Sequence, residues 1–214
     1  MTKKKLYSEI VEYFSEAMPA PESELNYRNN FELLVAVILS AQCTDKRVNL
    51  VTPALFEAMP TPQKMAASSE QEIFKFIRSV SYPNSKASHL LGMARGLVQR
   101  YESNVPSTRE ELESLSGVGR KTASVILAVA FSQGELAVDT HVHRVAARIG
   151  LSRGAKTPLD TERQLVDGFS RVCPREKLPD VHHWLILHGR YVCTARAPKC
   201  TECGISAVCS HFNM

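Results

Sequence analysis

Residues 31–39 read Phe-Glu-Leu-Leu-Val-Ala-Val-Ile-Leu, and this run constrains the fold more than any other stretch of the chain. Phe31, Leu34, Val35 and Ile38 recur at helical spacing, while Leu33, Val37 and Leu39 fill the remaining faces. A helix that is apolar all round belongs in an interior. Glu32 interrupts the run, which falls far short of the ~20 apolar residues that cross a bilayer. The interior is therefore a protein core, and other helices must supply it.

The rest of the chain has the pattern to do so. Tyr7, Ile10, Val11, Phe14 and Met18 repeat at helical spacing until Pro19 and Pro21 close the segment. Further helices are expected over 63–68, 70–79, 84–101, 108–115, 120–132, 139–149, 160–172 and 181–190. Prolines and glycines separate them, at Pro60, Pro62, Pro83, Pro106, Gly117, Gly119, Gly134, Pro158 and Pro174. Val125–Val129 is β-rich but sits inside a helical pattern, and Leu136–Val138 is too short for a sheet, so the expected fold class is all-α. At 214 residues, 44% hydrophobic and 22% charged, the chain is an ordinary globular sequence, which excludes disorder and low complexity. It has neither repeats nor a flexible linker, so two domains would pack closely. Lys3, Lys4 and Lys5 open the chain, but Ser8, Glu9 and Glu12 interrupt any signal-peptide core, and a cytoplasmic protein with reduced cysteines is expected.

The stretch Leu115-Ser116-Gly117-Val118-Gly119 separates two helix patterns. Thr108 and Glu111 make a capping box for the first, and Ala123, Ile126, Val129 and Ala130 line one face of the second. Such a turn is either a tight αα corner or a place where backbone N–H groups at a helix start hold a phosphate oxygen. Arg120 and Lys121 follow at once, and from Ser116 to Arg153 five basic residues stand against two acidic ones. Although a net charge of +4 requires no polyanion, this local excess makes a nucleic acid the leading ligand class. Four of the six cysteines fall within 17 positions, as Cys193-x6-Cys200-x2-Cys203-x5-Cys209. Four thiolates can hold either tetrahedral zinc or a [4Fe–4S] cluster, and only one Cys-x-x-Cys pair is present where structural zinc usually has two.

Residues 115–123 followed by Val138-Asp139-Thr140-His141-Val142 resemble the helix-hairpin-helix DNA glycosylases, specifically the endonuclease III family. Phe31-Glu32-Leu33-Leu34, Leu39-Ser40-Ala41-Gln42, Asn84-Ser85-Lys86-Ala87 and His182 to Tyr191 match the same family in the same order, across roughly residues 20–209. The resemblance implies a bifunctional DNA glycosylase and AP lyase acting on double-stranded DNA with damaged bases or abasic sites, excising oxidised pyrimidines as a monomer. It implies a helical barrel over 24–133 and a cluster domain built from 1–23 with 134–214, with DNA in the cleft between them and Lys121 facing Asp139 there. Cys193, Cys200, Cys203 and Cys209 would carry a [4Fe–4S] cluster.

Base excision needs the nucleotide rotated out of the stack. The family implies that Lys121 then attacks the sugar carbon and forms a Schiff base. A lysine of ordinary pKa is protonated at neutral pH, so the attack needs a depressed value or a proton acceptor. Asp139 matches the family's carboxylate, which would stabilise cationic character and shuttle the proton; taken alone it is an N-cap for the helix from Thr140. Gln42 would fill the space left by the nucleotide. Tyr82, in Val80-Ser81-Tyr82-Pro83, belongs to the wedge before Asn-Ser-Lys-Ala, where the family normally carries an aliphatic residue followed by an aromatic one; it either stacks on a base or packs inside the protein. Gly117, Val118, Gly119 and Arg120 on one side, and Arg196 and Lys199 on the other, would hold phosphates. His182, His183 and His188 share a helix with Trp184 and read as core residues. A chain ending soon after the last cysteine, with Lys121 in place, speaks against an adenine-mismatch relative, and lyase activity separates the enzyme from a non-catalytic DNA-binding iron–sulfur module.

Overall fold

Eleven α-helices and three single-turn 3-10 segments, with no strand, form the described residues, 1–213, of the computed structural model. In chain order the first six are α1 (Lys3–Ala17), α2 (Asn30–Ser40), α3 (Asp45–Ala58), α4 (Pro62–Ala66), α5 (Glu70–Ile77) and α6 (Pro83–Arg100). They are followed by α7 (Arg109–Glu113), α8 (Arg120–Phe131), α9 (Thr140–Ile149), α10 (Pro158–Phe169) and α11 (Leu178–Tyr191). The all-α class expected from periodicity is the class observed. The helices gather into two compact units, Ser23–Phe131 and Met1–Glu22 with Ser132–Met214.

In the first unit α2 is the stem. Every residue from Phe31 to Leu39 is buried, and α3, α6 and α8 pack around it. Asn29 caps its start by accepting from the Glu32 amide at 3.0 Å. Glu32 is itself only 1% exposed, and it is paired: Arg28 donates to it through its backbone N–H at 2.8 Å, through Nη2 at 2.6 Å and through Nε at 3.0 Å. A buried carboxylate in a first helical turn is tolerable on these terms, with its charge matched and the helix dipole in its favour.

Helix α3 is absent from the expected helices. Pro53 stands inside it and removes one backbone hydrogen bond, which masks a segment that Thr44, accepting from the Arg47 amide, otherwise starts in the ordinary way. The capping box expected at Thr108 forms by half. Thr108 accepts from the Glu111 amide, but the Glu111 carboxylate accepts from the Thr108 hydroxyl at 2.7 Å. On α8 the buried stripe is Ala123, Ser124, Ile126, Leu127 and Ala128, so Val129 and Ala130 are half-buried, one position beyond the expected face.

In the second unit α1 lies against α10, and α9 against both α10 and α11. Phe14 stacks on Trp184, whose indole N–H donates to the Met18 carbonyl at 2.8 Å, so the N-terminal helix is tied to α11 across the core. His182, His183 and His188 are buried beside Trp184, as their helical positions imply. The Tyr7 hydroxyl reaches the Leu151 carbonyl at 2.9 Å. Its ring lies over Gly168, where a Cβ would stand 2.1 Å from Tyr7 Cζ. Gly168→Ala therefore forces α1 and α10 apart, and urea denaturation is expected to show a loss of about 1 to 3 kcal/mol, the usual cost of overpacking; an unchanged midpoint would contradict this packing.

Candidate functional site

The turn between α7 and α8 is fixed from beneath. Val118 is buried, and its amide donates to the Leu115 carbonyl at 3.1 Å. Its side chain is a core anchor and its N–H belongs to the turn, so of the expected hairpin contacts Val118 contributes position and not a donor. Gly117 has φ +77°, and a Cβ there would meet the His89 Cβ at 2.7 Å, so both conformation and space demand glycine. Gly119 differs: nothing lies within 4 Å of where its Cβ would stand. Its openness leaves the start of α8 accessible, and Arg120 and Lys121, in the first turn, are exposed. The Arg120 carbonyl accepts from Arg109 at 3.5 Å, and Arg109 also donates to the Ser124 hydroxyl at 3.2 Å, bracing that turn.

A second exposed feature of this unit is a pair of loops. Gln42, just beyond α2, has φ 53°, and Tyr82, just before α6, has φ 54°. Left-handed backbone at non-glycine residues costs of order 1 to 3 kcal/mol each and persists only where the surroundings enforce it. Here the Ser81 hydroxyl donates to the Gln42 carbonyl at 2.7 Å, joining the two loops. Tyr82 is 64% exposed, which removes the alternative of a packing residue. Pro83 occupies the first position of α6, where its missing N–H is harmless. Beneath both loops lies Lys86, 5% exposed, with its Nζ donating to the carbonyls of Leu39 and Ala41 at 2.7 Å each. Burial pushes its ammonium below the ordinary lysine range.

In the second unit Asp139 is half-buried and caps α9, accepting from the Val142 amide at 2.8 Å. His141, two residues along, meets Arg144 at 3.3 Å. Two arginines one helical turn apart then hold the cysteine segment. Arg144 donates to the carbonyls of Gly189 at 2.8 Å and Cys193 at 3.2 Å. Arg148 donates to those of Thr194 at 2.7 Å and Ala195 at 2.8 Å, and to Cys193 Sγ at 3.5 Å. Both were counted by sequence as positive charge around the glycine turn; their donors serve these carbonyls instead.

Cys193, Cys200, Cys203 and Cys209 line one pocket together with His188, Ile149, Ile205 and Phe212. Cys203 Sγ lies 3.7 Å from His188 Nε2, and burial raises its thiol above the ordinary range, with the three other cysteines adding to the rise. Among the described residues no three ligand side chains converge as around one metal ion. Four thiols line a mainly apolar pocket with no carboxylate in its lining, a donor set that fits either zinc or an iron–sulfur cluster. Arg196 and Lys199, between the first two cysteines, are exposed.

Residues 35–171 match the HhH-GPD superfamily base excision DNA repair protein family. Endonuclease III of Treponema pallidum is 46% identical over 205 residues, covering 96% of this chain and 95% of that protein. Endonuclease III of Rickettsia felis is also 46% identical, over 209 residues, covering 98% and 96%. A solved structure of a trapped endonuclease III–DNA covalent intermediate superposes with a TM-score of 0.91 at 39% identity, covering 100% of this chain and 98% of that one. The chain belongs to the endonuclease III family. It is a DNA N-glycosylase and AP lyase of base excision repair, on the helix-hairpin-helix fold anticipated above.

Within this family member, sequence reasoning passes over Lys86, Ser81, Arg144 and Arg148 as individual groups, although the Asn-Ser-Lys-Ala and Leu-Ser-Ala-Gln motifs flag the neighbourhood of the first two. The two hairpin glycines separate by experiment. Gly117→Ala is expected to lose about 1 to 3 kcal/mol in chemical denaturation, whereas Gly119→Ala, with open space before it, stays within about 0.5 kcal/mol; equal losses would contradict the geometry.

Proposed function

We propose that this endonuclease III family member excises oxidised pyrimidines from double-stranded DNA and then cleaves the strand 3′ to the abasic site, with Lys121 as nucleophile and Asp139 as its carboxylate partner. Supporting this is one juxtaposition: a solvent-facing lysine in the first turn of α8, directly behind a turn whose Gly119 leaves room for backbone approach.

The steps follow from that amine. Lys121 Nζ bonds to C1′ of the extruded nucleotide as the glycosidic bond breaks and the base leaves with a proton. Ring opening gives an imine between Nζ and C1′. Removal of a C2′ proton then expels the 3′ phosphate by elimination, and water releases the lysine. Asp139 stabilises the cationic sugar and carries the proton. Gln42 and Tyr82 occupy the duplex where the nucleotide was, with Tyr82 stacking on a base. Gly117, Gly119 and Arg120, with Val118 holding the turn in place, contact phosphates on one side of the lesion, and Arg196 and Lys199 contact phosphates on the other. The protein works as a monomer in the cytoplasm; among the described residues no helix is long and apolar enough to cross a membrane. Cys193, Cys200, Cys203 and Cys209 hold a [4Fe–4S] cluster, which cross-links a segment that has almost no regular structure of its own.

Borohydride added to protein and abasic DNA is expected to trap a covalent adduct that Lys121→Ala no longer forms; an undiminished adduct in that variant removes Lys121 from the chemistry. Asp139→Asn keeps an oxygen to accept from the Val142 amide but loses the charge, so it should fold normally and turn over about 100- to 10,000-fold more slowly. Protein purified without oxygen should be brown, with iron and acid-labile sulfide in equal amounts. A colourless protein with stoichiometric zinc would overturn the cluster.

A further inference from the structure

Lys86 has no part in the chemistry above, yet it is a buried lysine placed with unusual economy. It comes from the first turn of α6, and its side chain runs under the loop that leaves α2. A helix ends with carbonyls that no amide satisfies. At the end of α2 two of these, on Leu39 and Ala41, are taken by the Lys86 ammonium at 2.7 Å each. With its carbonyls held from below, the chain turns sharply at Ala41, and Gln42 enters the left-handed region in full exposure. The Ser81 hydroxyl holds the Gln42 carbonyl from the other side. Ser81 and Lys86 bracket Tyr82 in sequence, so the exposed amide and the exposed ring are mounted on one hydrogen-bonded block. Both hydrogen bonds of the ammonium go to main-chain carbonyls; a lysine kept there serves the backbone.

We propose that Lys86 is a positioning residue for base extrusion: together with Ser81 it holds Gln42 and Tyr82 at the fixed spacing needed to enter the duplex as a pair. The inference rests on the reading of Gln42 and Tyr82 as the residues that fill the vacated space. It extends that reading by assigning a buried charge to the opening of the helix, separate from bond cleavage.

The test uses full-length protein with its cluster and a duplex carrying a stable abasic analogue opposite 2-aminopurine. Binding of the unmodified protein should raise the fluorescence as the opposite base unstacks. In Lys86→Met the rise should fall at least about twofold at saturating protein. Excision of an oxidised pyrimidine from paired duplex should slow by up to about 100-fold, the scale of a 1 Å misplacement. The slowing should shrink several-fold when the same lesion is presented in a single strand, where no duplex has to be opened; a merely structural defect would be equal on both. Lys86→Met added to the double variant Gln42→Ala/Tyr82→Ala should cost no more than that double variant alone, since Lys86 acts through both. Should Lys86→Met not fold, Ser81→Ala decides: it should weaken the fluorescence rise, and Ser81→Thr should restore it. A full rise in Lys86→Met and in Ser81→Ala, while Gln42→Ala and Tyr82→Ala lose it, overturns the positioning role alone. An undiminished rise in Gln42→Ala and Tyr82→Ala overturns the reading beneath it and the inference with it.

Discussion

A helix with no wet side has nowhere to put its polar ends, and α2 is such a helix, buried from Phe31 to Leu39. The orphan amides and carbonyls that any helix leaves at its termini ordinarily meet water. Here each end is met by side chains, neighbouring ones at the start and a distant one at the far end. At the start, Asn29 accepts from the Glu32 amide, and the Glu32 carboxylate reaches back to the Arg28 amide and guanidinium. At the far end, Lys86 gathers two carbonyls. The two buried charges of the stem are thus both terminal, one acidic at the positive end of the dipole and one basic at the negative end. Placed the other way round, each would oppose the dipole and leave its partners unsatisfied, a cost of several kcal/mol at a buried site.

That arrangement links stability to function. The stem must be buried to hold α3, α6 and α8 around it, and a stem so deeply buried delivers its last residues to the surface along a path with little freedom. The strain at Gln42 and Tyr82 follows, because left-handed backbone survives only where neighbouring contacts over-determine it. What reaches solvent is a pair of side chains on a braced mount, ahead of a lysine-bearing helix whose own start is braced by Arg109.

Local order was readable in the sequence and long-range order was not. The apolar stem, the glycine turn, the buried histidines beside Trp184 and the four-cysteine spacing all express themselves within a few residues, so periodicity and spacing expose them. Asp139 was legible as a cap because its partner, the Val142 amide, is three residues away. Lys86 meets carbonyls 45 and 47 residues away, and no local pattern carries that distance. Helix α3 was hidden by Pro53, whose local meaning as a breaker was overruled by packing against α2 and α5. The hairpin's charge was overcounted for the same reason: Arg144 and Arg148 look like free cations in one dimension and are carbonyl donors in three.

The cysteine segment shows what this spending of charge accomplishes. Among the described residues beyond α11 there are only two single-turn 3-10 segments and, in Ile205, one buried apolar side chain, too little to order the segment through a core of its own. Its shape comes from polar ties to α9. Arg144 and Arg148 take the carbonyls of Cys193, Thr194 and Ala195 at its start, and near its end the Ser210 and His211 amides donate to the carbonyls of Ile149 and Arg148 at 3.0 and 2.9 Å. Both ends of the segment are therefore fastened to one helix, α9, which closes it into a loop with its four thiols around one pocket. Closing the loop in advance lowers the entropy that cross-linking by the proposed cluster would still have to remove. The inward arginines are consumed in that fastening, so the positive charge of lysine and arginine that the loop offers to solvent is carried by Arg196 and Lys199.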